Sequence, residues 1–229
     1  MISAYLINLD KEVERRVVSQ ESWPFTDIPF YLISAASQNE ITAQYVTSGV
    51  AAIWQSHLKA METFLNSGED FGIILEDDYQ INKISQFHKI LELGQMISAD
   101  FIQFGFLTTG ADVYLDKHLA NYQTSFFRKV TSIPFLRHKF SNRLRVKEAL
   151  NSPSMLIPSQ VLPGAHAYLI SRNLARAITG SHGTQFLATD DFFMALAPMR
   201  SFRMYRAKKS CVSQRKVPST VLARFRNYQ

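Results

Sequence analysis

Two features of the opening hundred residues predict an α/β protein with a mostly parallel sheet flanked by helices. Short apolar runs alternate with longer stretches of helical period, giving strand–helix–strand–helix–strand within the first eighty residues. The third short run, Phe71-Gly72-Ile73-Ile74-Leu75, is too brief for a helix and stops at three consecutive carboxylates, Glu76-Asp77-Asp78. With 229 residues, 46% hydrophobic and 19% charged, the chain can bury a real core as one domain.

Taken in order, Ala4–Leu9 reads as the first strand, and Asp10 is the expected N-cap of a charged helix over Lys11–Gln20. Pro24 and Pro29 bracket a loop before a second strand, Phe30–Ile33. Thr47-Ser48-Gly49 opens a helix whose apolar stripe runs Val50, Ile53, Trp54, His57, Met61, Phe64 and Leu65, with Gly68 just past its end. His57 lies on that stripe, so a core histidine bonded to backbone or carboxylate is expected. A helix over Ser85–Ile97 and a strand over Phe101–Phe104 follow. Residues 105–160 lose the pattern and carry the basic run Arg137, Lys139, Arg143, Arg145 and Lys147, which reads as a long acceptor-facing insertion. Order returns with a strand over Gly164–Ile170, Ser171 as an N-cap and a helix through Ile178. Thr189-Asp190-Asp191 caps a last helix over Phe192–Leu196, and Ser201–Gln229 forms a basic tail. The chain thus divides into a first half (1–104), the insertion (105–160) and a second half (161–229).

The three acids carry the chemistry. If the strand pleat continues through them, Glu76 and Asp78 face one way and Asp77 the other. Adjacent carboxylates repel unless a cation lies between them, and strand ends in open α/β sheets are where ligands bind. A hard divalent cation, Mn²⁺ or Mg²⁺, would relieve the repulsion and suits a substrate diphosphate. The bland alternative is a solvated strand end, but three acids directly after a strand core favour a functional cluster.

Composition narrows the classes. One cysteine, Cys211, excludes an internal disulfide and any Cys-based zinc site. No signal-like segment or membrane span is evident, so a cytoplasmic protein is expected. Residues 1–100 hold 6 Lys/Arg against 14 Asp/Glu, whereas 101–229 hold 19 against 5, so the second half favours an anionic partner. No Gly-rich phosphate loop follows a strand, which removes the Rossmann dinucleotide and P-loop readings.

The ordered set of motifs resembles glycosyltransferase family 25. It comprises Tyr5-Leu6-Ile7-Asn8-Leu9-Asp10 with Arg15-Arg16, Gly49 with Ser56-His57, Ile74-Leu75-Glu76-Asp77-Asp78, Ala167–Ser171, the Asp190 region, and Val212-Ser213-Gln214 with Ser219. The resemblance implies a GT-A fold and inverting transfer of a hexose, commonly galactose, from a UDP-sugar. The acceptor would be a glycan or glycolipid such as lipooligosaccharide. By the same resemblance Asp78 is the expected metal ligand, with Glu76 as second ligand or ribose contact and Asp77 beside them. Asn8, Leu9 and Arg15 would surround the nucleotide, and Asp190 or Asp191 would be the general base. His57 and His166 are expected to be structural, with an orienting role or a further metal ligand as the alternatives. The stretch Ser34-Ala35-Ala36-Ser37 lacks the family's acidic residue and glycine, so no ribose contact is assigned to it. A nucleotidyltransferase or phosphohydrolase using the same carboxylates is the first competing reading. A nucleic-acid-binding module is the second, disfavoured because no aromatic-interleaved RNA motif is present. Peripheral contact with an anionic membrane is compatible with the transferase reading.

Overall fold

Strand β1 (Ile2–Asn8) is buried along almost its whole length, as its near-continuous apolar run requires of a strand covered on both faces. It pairs in parallel with β2 (Phe30–Ser34) on one side and β3 (Phe71–Glu76) on the other. These relations come from a computed structural model that describes residues 1–43, 46–107, 155–181 and 187–215. The basic run 137–147, Gly183 and Ser219 lie outside the described residues.

The main sheet continues through β5 (Phe101–Gln103), β6 (Leu156–Pro158), β7 (Ala167–Ser171) and β8 (Met204–Ala207) in the order β2-β1-β3-β7-β5-β8-β6. Strand β7 is antiparallel to both β3 and β5, and β6 is antiparallel to β8, so five of the seven strands share one direction. A second, two-stranded ribbon pairs β4 (Tyr79–Ile81) with β9 (Val212–Gln214).

Alternation along the strands splits the core into two layers. Tyr5, Ile7, Ile74 and Tyr168 face helices α2 (Ser48–Asn66), α4 (Arg172–Gly180) and α5 (Thr189–Leu196). Ala4, Leu6, Ile73 and Leu75 face α3 (Ile84–Met96) through Phe87, Ile90 and Leu91. Each fully buried aliphatic of β3 contributes about 1.5–3 kcal/mol. Helix α2 approaches β3 closely because Gly72 has no side chain; a Cβ there would sit 2.9 Å from the Phe64 ring. Thr47 caps α2 and Ser171 caps α4, each accepting a backbone N–H three residues on, as expected.

Several expectations are corrected. Asp10 does not cap α1 (Val13–Glu21): a Leu9–Glu12 turn comes first, and the Asp10 carboxylate accepts from Ser34 Oγ at 2.9 Å. Helix α5 starts at Thr189, one turn earlier than its apolar run, with Ala188 in the cap position and no side-chain cap. Its two aspartates therefore lie inside the first turn, where the helix dipole favours them. The assigned insertion is too wide at its far end, since β6 is the edge strand of the main sheet. The basic tail is partly structural as well: residues 204–207 and 212–214 are strands. Three- and four-residue strands are too short to show a period.

Candidate functional site

Parallel pairing brings the carboxyl ends of β1, β2 and β3 together, with Asn8 opposite Ser34 and Ile7 opposite Glu76. Above these ends opens a cleft of about 770 Å³. Its floor includes Asn8, Glu76, Asp77 and Asp78; the segment 34–40 and helix α2 form one wall, and Gly164, Ala165 and Asp190 line another part.

The pleat does not continue through the acids. Strand β3 ends at Glu76, and Asp77-Asp78 turn into β4, so each acid has its own surroundings. Asp77 is buried and faces α1: Asn8 Nδ2 donates to its Oδ2 at 2.7 Å, and Arg15 donates to Oδ1. Its carbonyl accepts from Ser19 Oγ at 2.7 Å and from the Arg215 guanidinium, while the Arg215 backbone N–H donates to the Asp78 carbonyl at 2.6 Å. Burial nevertheless raises the Asp77 carboxyl above its ordinary range, against Asn8 and Arg15, which lower it. Asp78 keeps only a 3.9 Å approach to Arg15, and its Oδ1 is buried with no hydrogen-bond partner. Burial, then the neighbouring Glu76 charge, pushes its carboxyl up to about 7.

Glu76 lies at the cleft, with its Oε1 3.3 Å from His57 Nε2. His57 is buried, and its Nδ1 is 2.8 Å from the Tyr168 hydroxyl. The expected core histidine is thus present, bonded to a carboxylate, and that carboxylate belongs to the site. His166 is fully buried; burial lowers its pKa, while Glu76 and Asp190 act on it in the opposite direction.

No family model matches the chain, and no curated protein matches it. Among solved structures it is similar to A197 from STIV, with 12% identity over 98% of this chain and 100% of that one, at a TM-score of 0.42. That similarity is too loose to transfer a residue role or an activity.

Of the residues singled out from the sequence, Asn8, Leu9, Arg15, Glu76, Asp77, Asp78 and Asp190 all line the cleft. Asp191 is exposed and lies off the cleft lining. Asn8 and Arg15 are committed to Asp77, so within the protein their bonds hold the carboxylate turn in place. Three contributors were given no role in the site from the sequence. Arg215 clamps a turn 138 residues earlier. Tyr168 sits beneath His57, 111 residues away. The wall 34–37 is fixed by Ala36 N–H donating to Ser56 Oγ at 2.9 Å, with Ser56 itself tied to the Ala52 carbonyl.

Proposed function

We propose that the protein is an inverting, metal-dependent glycosyltransferase that moves a hexose, galactose as the first choice, from a UDP-sugar to a glycan hydroxyl, forming a β-glycosidic bond. The observation that carries this reading is the pairing of Glu76 and Asp78 with Asp190 around one cleft at the strand ends. A cleft of this size accommodates a nucleotide-sugar, and its position matches the ligand crevice of open α/β sheets. The ordered family-25 motifs supply the substrate class.

The residues present suit a divalent cation. Asp78 has a buried oxygen without a donor, and its ionisation is opposed by burial and by Glu76; a nearby positive charge would offset both. Among the described residues no group of three His, Cys, Asp or Glu could hold a metal. Asp78 and Glu76 would be the protein's share of such a shell, with phosphate oxygens and water completing it. Bound there, the ion would offset the negative charge that develops on the departing diphosphate.

The remaining roles fall to side chains. Asp77, fixed by Asn8 and Arg15, holds the turn that presents Asp78. Asp190, buried at the cleft, would accept the proton of the acceptor hydroxyl as the new bond forms. The acceptor would be a glycan or glycolipid, reached in the cytoplasm or from the face of an anionic membrane; no helix among the described residues is long and apolar enough to cross one.

The test is a thermal-shift panel of nucleotides and nucleotide-sugars with Mn²⁺ or EDTA, followed by product analysis with the best donor. Stabilisation by a UDP-sugar that needs Mn²⁺, with intact sugar transfer, is the expected result. Release of phosphate or pyrophosphate without transfer would move the site to the hydrolase and nucleotidyltransferase class. Failure of every UDP compound to stabilise the protein would end the reading.

A further inference from the structure

Beneath the cleft runs a chain of three side chains from different parts of the sequence. Tyr168 lies in the middle of β7 and is fully buried. Its hydroxyl meets His57 Nδ1 at 2.8 Å, and the opposite edge of that ring meets Glu76 Oε1 at 3.3 Å. The phenol and imidazole are stacked, with centroids 5.7 Å apart and planes 21° apart. Phe101 and Phe193 pack on Tyr168, each with centroids 5.1 Å from it. Phe193 belongs to α5, one turn beyond Asp190.

The proton order in this chain follows from donor and acceptor capacity. A buried phenol keeps its proton, and burial holds Tyr168 far above its ordinary range. Its O–H therefore donates to His57 Nδ1, which requires the ring proton on Nε2, where it points at the Glu76 carboxylate. The reverse tautomer would turn a nitrogen lone pair toward a carboxylate and take the acceptor away from the phenol hydrogen. With the phenol proton kept on Tyr168 and Glu76 ionised, a singly protonated ring satisfies both contacts only in the first order.

We propose that Tyr168 and His57 are positioning residues for Glu76: the phenol selects the ring tautomer whose Nε2–H is committed to the carboxylate, so that Glu76 is presented to the cleft in one orientation. The Phe193 contact makes the same tyrosine a buttress for the helix that carries Asp190. One buried side chain thus touches the supports of both Glu76 and Asp190. What Glu76 does for a donor rests on the transferase reading; the hydrogen-bond order does not.

The experiment uses the full chain labelled with ¹⁵N-histidine, whose six histidines are resolved in long-range ¹H–¹⁵N spectra, with H57Q assigning the His57 signals. The His57 ring proton is expected at Nε2, with an acceptor-type Nδ1 resonance that moves in Y168F. A ring proton found on Nδ1, facing Tyr168, overturns the proposal. The second readout is transfer from UDP-galactose with Mn²⁺. Loss of an outer-shell partner costs about 10- to 100-fold, so H57L should lower kcat/KM by that amount. H57Q, whose amide can accept from Tyr168 and donate to Glu76, should recover most of it. Adding H57L to E76Q should cost no further activity. H57Q as impaired as H57L, at a Tm equal to wild type, refutes positioning. Wild-type protein that transfers no sugar from any UDP-sugar ends the transferase reading alone, and the ring spectra still decide the proposal.

Discussion

Replacing Asp78 with Asn should make the protein more stable at neutral pH while removing its response to metal. The carboxyl is moved from its ordinary 3.8 to about 7, chiefly by burial and then by Glu76. Full ionisation in the fold is thereby disfavoured by about 4 kcal/mol at alkaline pH, at about 1.4 kcal/mol per pH unit. The folded-state value lies above the unfolded one, so wild-type stability is retained in acid and lost as pH rises from about 4 through about 7. Asn carries no such dependence. Between pH 5 and pH 8 the advantage of D78N over wild type should therefore grow by about 2–3 kcal/mol. For a chain of this size that is roughly 5–10 °C in Tm. Differential scanning fluorimetry of both proteins across that pH range, with EDTA and then with Mn²⁺, reads the difference directly. Mn²⁺ should stabilise wild type only. A D78N advantage that stays flat with pH, or turns negative at pH 8, would show that Asp78 is not a disfavoured buried charge.

The remaining predictions concern the parts around it. Asp77→Ala leaves the Asn8 amide and the Arg15 guanidinium without their acceptor, and should cost about 3 kcal/mol in urea unfolding. D77N should cost about half as much; equal stability of D77A and wild type would mean that the cluster does not hold the turn. Gly105→Ala places a Cβ 2.4 Å from the Val212 carbonyl and 2.3 Å from His166 Nε2, so β9 must move; a loss of about 1–3 kcal/mol is expected, and an unchanged Tm would contradict the packing. Asp190→Asn should lower turnover by about 10²–10⁴-fold with donor affinity intact, whereas D191N should stay near wild type. A D191N defect as large as that of D190N would remove Asp190 from its assigned role.

Much of the first half of the fold was legible from local pattern. The α2 stripe predicted its buried face at Val50, Ile53, Trp54, His57, Met61, Phe64 and Leu65; all are buried except Ile53 and Leu65, which are partly so. Helical period and caps are properties of neighbouring residues, so they survive without knowledge of the fold. The short strands were less legible for the same reason. Strands β4, β6, β8 and β9 have three or four residues each and exist only because a partner strand lies beside them. Arg206, apparently one more charge of a basic tail, is a buried residue of β8 whose Nε donates to Gln160 Oε1 at 2.8 Å.

By itself the sequence determined that carboxylates follow a buried strand in an alternating α/β chain, because strand burial and charge placement are written in consecutive residues. Which acid does what was decided by tertiary structure. Asp77 is engaged by Asn8, Arg15 and Arg215, Glu76 by His57, which is itself bonded to Tyr168, and Asp78 has a buried oxygen with no donor. Those partners lie up to 138 residues away, and the charge state of a carboxyl depends on what surrounds it in space.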